Sequence, residues 1–153
     1  MTKRSIQSLF LSLLFFCAAP AMAQDSSIAL NEKVSAAGQM TAEKFALLLK
    51  QQGFKLYVAT AKPTVYAKRI LEHFQLAPYF SRIYGSELSG ERTNKAELIA
   101  YILEQEQLAA AECLMVGDRE YDVLGARHNG IDSIAVTYGY GSAAELAHAQ
   151  PKK

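Results

Sequence analysis

Cysteine is scarce: Cys17 and Cys113 are the two in 153 residues. That excludes a disulfide framework, and Cys113, at the start of an apolar run, reads as a small buried hydrophobe. Clusters of lysine or arginine are also missing. The formal charge is +1, which argues against a surface built for nucleic acid. There is no internal repeat and no low-complexity tract, and the one strongly apolar run near the N-terminus is too short for a comfortable membrane span. Aspartate is rare as well, with Asp25, Asp118, Asp122 and Asp132 the complete set. What is present is half hydrophobic and one-fifth charged, ordinary values for a globular chain with room for one real core.

The N-terminus, MTKRSIQSLFLSLLFFCAAPAMAQ, places Lys3 and Arg4 ahead of an apolar stretch from Leu9 to Ala19 and an Ala21-Met22-Ala23 site. Over residues 1–23 this is the pattern of a secretory signal peptide; the other reading is a buried helix or strand. Cleavage after Ala23 would remove Lys3 and Arg4, take the formal charge from +1 to −1, and put the product in the periplasm or outside the cell. A leader that is not a true signal would leave the chain in the cytoplasm. Phe16 before Cys17 argues against lipid attachment. Residues 24–39 are polar and small and read as a linker, and residues 40–153 carry a different, alternating texture.

In that region Thr41 is expected to cap a helix with Phe45, Leu47, Leu48 and Leu49 on its apolar side and Gly53 as its stop. KLYVATA, 55–61, has the composition of a buried parallel strand. Pro63 is expected to open a second helix with Val65, Ile70, Leu71 and Phe74 inward. A brief strand over 82–84, a turn-rich loop, a helix over 95–106 and a strand over 113–116 follow. The pattern closes with a helix over 121–129 stopped by Gly130, a strand over 132–136 and a last short helix. Strand and helix in alternation, joined by short links, predict an α/β fold with a doubly wound parallel sheet and helices on both faces.

Ligands in such sheets bind beyond the carboxyl ends of the strands. Thr60 follows a strand, so its hydroxyl either donates to a phosphate oxygen or caps the next helix. Lys95 opens a helix, where the dipole disfavours a cation; it is either aimed at an anion or a solvated lysine. Gly117-Asp118 with Asp122 puts two carboxylates at the mouth of a strand. They are either hard ligands for magnesium or a cap and a first-turn acid.

Taken in order, YVATAKP, TNKAELI and VGDREYD resemble the second, third and fourth motifs of the haloacid dehalogenase-like phosphohydrolase superfamily. Local wording such as KPTVYAKRILEHF, GARHNGIDSIAV and YGYGS is similar to its phosphoglycolate phosphatase and 5′-nucleotidase branch, from about Phe45 to Leu146. The resemblance implies a Rossmann-like core that hydrolyses a small phosphomonoester with Mg²⁺. It implies Thr60 as the phosphate-binding hydroxyl, Lys95 as the catalytic lysine that steadies nucleophile and phosphate, and Asp118 and Asp122 as the metal-side acids. It further implies an aspartate nucleophile and an aspartate general acid in a D-x-D motif after the first, central strand.

No D-x-D occurs here. Asp25 follows no strand, Asp132 enters one at the wrong end, and the cap region normally found between the first two motifs is missing. The expectation is therefore a partial phosphatase core retaining three motifs, weak or inactive alone, with its central first strand missing or substituted. The stretch Leu9 to Ala19, if retained, is one substitute. A strand-donating partner or a second copy is another, which would make the chain a non-catalytic interaction module. A truncated or joined gene fragment is the remaining alternative.

Overall fold

The computed structural model describes the backbone of residues 14–17 and the chain from 42 to 152. Thr41, the linker 24–39 and most of the expected signal segment lie outside the described residues. Five strands form one sheet: β1 Leu14–Cys17, β2 Lys55–Pro63, β3 Arg82–Ser86, β4 Cys113–Gly117 and β5 Asp132–Ala135. Among the described residues five α-helices accompany them: α1 Ala42–Gln51, α2 Thr64–His73, α3 Lys95–Glu106, α4 Glu120–His128 and α5 Ala143–Ala149.

The strand order is β3-β2-β1-β4-β5. β2 pairs with β3 in parallel, and so does β4 with β5. The central place between β2 and β4 is taken by β1, a piece of the apolar stretch Leu9 to Ala19. It runs antiparallel to both neighbours, with Leu14 opposite Val58 and Val116 and Cys17 opposite Lys55 and Cys113. The expected substitution of the first strand is thus made by the chain's own N-terminal segment. Its reversed direction puts the N-terminal end of β1, Leu14, opposite Val58 in the middle of β2 and beside Val116 near the carboxyl end of β4.

Side-chain alternation on β2 explains why both faces of the sheet are covered. Leu56 and Val58 turn to one face, where Phe45, Ala46 and Leu49 of α1 and Leu71 of α2 meet Val116 and Ile134. Tyr57 and Ala59 turn to the other, against Leu98, Ile99 and Ile102 of α3, Ala126 of α4 and Cys113 and Met115 of β4. The sheet is therefore the middle layer of three, buried on both sides. Cys113 is buried, as its sequence context predicts.

The inward face of α2 matches expectation at Leu71 and Phe74 and differs at Val65. Ala67 and Leu71 are its buried residues, whereas Val65 is 46% exposed. Pro63 closes β2 and caps the helix instead of opening it. At about 100° per residue, Val65 falls roughly 120° from Leu71 and roughly 180° from Phe74, so it stands off the buried stripe. Gly53 and Gly130 adopt positive φ, +85° and +69°, just past α1 and α4, the helix-stop geometry that glycine permits.

Candidate active site

Thr60, Lys95, Asp118 and Asp122 are all at the carboxyl-end edge of the sheet, where an open α/β fold places its ligands. Thr60 is buried on β2 just beyond Val58 and Ala59. Its Oγ1 accepts from the Lys62 N–H at 3.2 Å, which leaves the hydroxyl proton for a further acceptor. β3 braces this segment. Ser86 Oγ donates to the Ala61 carbonyl at 2.9 Å, the Gly85 N–H donates to Thr64 Oγ1 at 3.1 Å, and Thr64 Oγ1 donates to the Ser86 carbonyl at 3.3 Å. Gly85 has to be glycine, because a Cβ there would run into the Lys62 carbonyl.

Lys95 is the first residue of α3, after the N-cap Asn94, whose Oδ1 accepts from the Ala96 N–H at 2.8 Å. The cap satisfies the helix end, and the lysine turns inward. Its Nζ donates to the Ala59 carbonyl at 2.7 Å and pairs with Asp122 Oδ1 at 2.9 Å. One ammonium thus ties the end of β2 to the first turn of α4, bringing together the three regions singled out in the sequence. Gly125 makes that approach possible: a Cβ there would come within 2.8 Å of Lys95 Cγ.

Asp118 directly follows β4 and is fully buried. Its Oδ2 accepts from the Tyr140 N–H at 2.6 Å. Its Oδ1 is buried and has no hydrogen-bond partner among the described residues. Burial pushes the Asp118 carboxyl above the usual carboxylate range; the Tyr140 N–H works against that shift and the Asp122 charge adds to it. Asp122 is also buried. Its Oδ2 accepts from the N–H groups of Asp118 and Arg119, each at 3.2 Å, so this carboxylate caps α4 while facing Lys95. Gly117 makes room for it, since a Cβ would collide with the Asp122 side chain. The role of Gly117 is close approach, because its φ is not in the positive region.

Lys95 and Asp122 pair with each other, which leaves Asp118 as a buried carboxylate with no opposite charge in contact among the described residues. An isolated buried charge is costly unless paired or bound to metal. An orphaned hard oxygen beside a second carboxylate is the donor chemistry of magnesium, which keeps several waters and needs one or two protein carboxylates. The residues therefore fit that ion, although no group of three or more acidic, histidine or cysteine side chains gathers among the described residues. A cleft of about 700 Å³ opens beside Lys95, lined by Ala61, Asn94, Tyr121, Leu124 and His128 among others.

Sequence reasoning singled out the four polar residues as candidates but missed the groups packed around them. Gly139 and Gly141 press on Asp118, where a Cβ at either would collide with its carboxylate or its carbonyl. Glu145 Oε1 accepts from Arg119 Nε at 2.7 Å and from the Glu120 N–H at 3.0 Å; the hydrogen bond from Arg119 holds the Glu145 carboxyl below its usual range. The signal was present in YGYGSAAEL, whose glycines and glutamate have no local task sufficient to explain them.

A parallel-flanked α/β sheet with a lysine, a threonine and two carboxylates at its carboxyl edge is an open α/β fold with its polar cluster where such folds place ligands. The family model described as haloacid dehalogenase-like hydrolase matches residues 37–136, and the chain belongs to that family. A 5′-nucleotidase of Pseudomonas aeruginosa is 54% identical over 100 residues, 65% of this chain and 45% of that protein. Tyrosine-protein kinase PtkA of Mycobacterium tuberculosis is 41% identical over 95 residues, 62% of this chain and 33% of that one. A phosphoglycolate phosphatase of Vibrio cholerae is 35% identical over 105 residues, 69% and 46% respectively. The crystal structure of a predicted phosphatase from Clostridium acetobutylicum superposes with a TM-score of 0.68 at 37% identity, covering 87% of this chain and 71% of that one. The chain thus spans less than half the length of these curated relatives.

Proposed function

We propose that the chain is a phosphatase-type domain that binds magnesium and the phosphate of a small phosphomonoester, with weak or no turnover by itself. The observation that carries this reading is the buried, uncompensated Oδ1 of Asp118, set beside the Lys95 bridge between β2 and Asp122. Asp118 and Asp122 are the metal side, Thr60 and Lys95 the phosphate side. Lys95 supplies positive charge that a phosphate would share, and the Thr60 hydroxyl supplies a donor. Bound magnesium would neutralise charge on the phosphate oxygens. The phosphatases among the relatives support the substrate class.

Turnover is expected to be weak because none of the four aspartates stands in a D-x-D pair. The antiparallel course of β1 supports the same reading, since it presents the start of a strand, not its end, at the site. A phosphomonoester assay in magnesium tests it, with hydrolysis close to background as the expected outcome. Robust hydrolysis that disappears in Asp118→Asn would mean that another group acts as nucleophile.

The second reading is an interaction module. It is favoured by β1 itself, four residues placed against the direction of the nine-residue β2, an occupant that a longer strand from a partner or second copy would displace. Light scattering separates the readings, with a dimer for the module and a monomer for the self-completed domain. The β1 pairing also supports a chain that keeps its N-terminal segment; N-terminal sequencing of secreted material beginning at Gln24 would reverse that.

A further inference from the structure

We infer that the segment 139–145 is a latch that orients the Asp118 carboxylate, with Glu145 as its positioning residue. The inference rests on the magnesium reading of Asp118 given above. Three separate contacts converge on the Asp118–Glu120 turn from this one segment. The Tyr140 N–H donates to Asp118 Oδ2 at 2.6 Å. Gly139 and Gly141 lie so close that no side chain fits between them and Asp118. Glu145 Oε1 receives both Arg119 Nε and the Glu120 N–H.

The third contact is the unexpected one. The N-cap of α4 is Arg119, whose own side chain cannot accept a hydrogen bond, so the helix start depends on acceptors from elsewhere. Asp122 serves the N–H groups of Asp118 and Arg119, and Glu145 reaches across from α5 to serve that of Glu120. Glu145 is fixed in turn, because its own N–H donates to Ser142 Oγ at 3.1 Å.

Two consequences follow for Asp118. With Oδ2 held by Tyr140, Oδ1 is the oxygen left to meet a ligand. With Arg119 engaged by Glu145 and lying over the Tyr121 ring at 5.6 Å, its guanidinium is kept from competing for Asp118. Outer partners of this kind orient a metal ligand and commonly govern affinity by about 10–100-fold when removed.

The test is a pair of measurements on the full chain and on Glu145→Gln, with Glu145→Ala as the harsher variant. Calorimetric titration with magnesium chloride reads affinity, and the ¹⁵N–¹H resonance of Tyr140 in the metal-free protein reads the grip on Asp118. Glu145→Gln should weaken magnesium binding about tenfold and move the Tyr140 amide resonance while those of α3 stay in place. An unchanged affinity together with an unmoved Tyr140 resonance overturns the latch. If the unmodified chain binds no magnesium, the metal reading fails by itself. The Tyr140 resonance then decides the latch alone: a shift in Glu145→Gln supports it and an unmoved signal overturns it.

Discussion

Asp118 holds a charge that the fold does not compensate, and that has a measurable consequence in the metal-free protein. Its carboxyl is raised above the usual range by burial, so folding favours the protonated form more than the unfolded chain does. The stability it contributes is largest at acid pH. It falls as pH rises from the ordinary aspartate value of about 4 through the raised folded one. Asp118→Asn keeps the shape and an acceptor for the Tyr140 N–H without the charge. Its melting temperature should match the parent near the acid end of that window and exceed it at neutral pH, as read by thermal denaturation across pH. Gly125→Ala should act in the opposite sense, pressing on Lys95 Cγ and costing about 1–3 kcal/mol in denaturant unfolding. Residue types and spacing made Thr60, Lys95, Asp118 and Asp122 legible before any fold was known. The tasks of Gly117, Gly125, Gly139 and Gly141 were not, because they are set by neighbours distant in sequence or folded back by a helix turn.

Among the elements, helices and strands between 42 and 149 were legible from apolar period and turn residues, to within a residue or two at most ends. The inward placing of Val65 was not, since at about 100° per residue it stands off the stripe that Leu71 and Phe74 bury. Leu71→Ala should therefore cost about 2–5 kcal/mol, while Val65→Ser should stay within about 0.5 kcal/mol; urea titration of both variants separates them. The place of β1 was legible as an apolar stretch facing an empty slot, but its direction was not, because strand sense is fixed by pairing and not by composition. As the strand between β2 and β4 in the sheet order, β1 is expected to be indispensable. Phe15→Pro removes a donor and introduces a ring in a central strand. It should lower stability and raise hydrogen exchange at Leu56–Val58 and Leu114–Val116, as should a chain beginning at Gln24. Unchanged protection in both would show that β2 and β4 hold together without it.

At the scale of the whole molecule, the chain joins a family core to a different way of completing the sheet. Two helical layers close over a sheet whose centre comes from the N-terminal segment, and Thr60, Lys95, Asp118 and Asp122 gather at its carboxyl edge. Among the described residues no helix is long and apolar enough to cross a membrane. The central claim is that this edge still binds what a phosphatase binds, whether or not it turns it over. The direct measurement is calorimetric titration of inorganic phosphate into the full chain, with and without magnesium. The account predicts binding that requires magnesium and that is lost in Lys95→Ala and in Asp118→Asn. A cooperatively folded chain that binds no phosphate under either condition would contradict it.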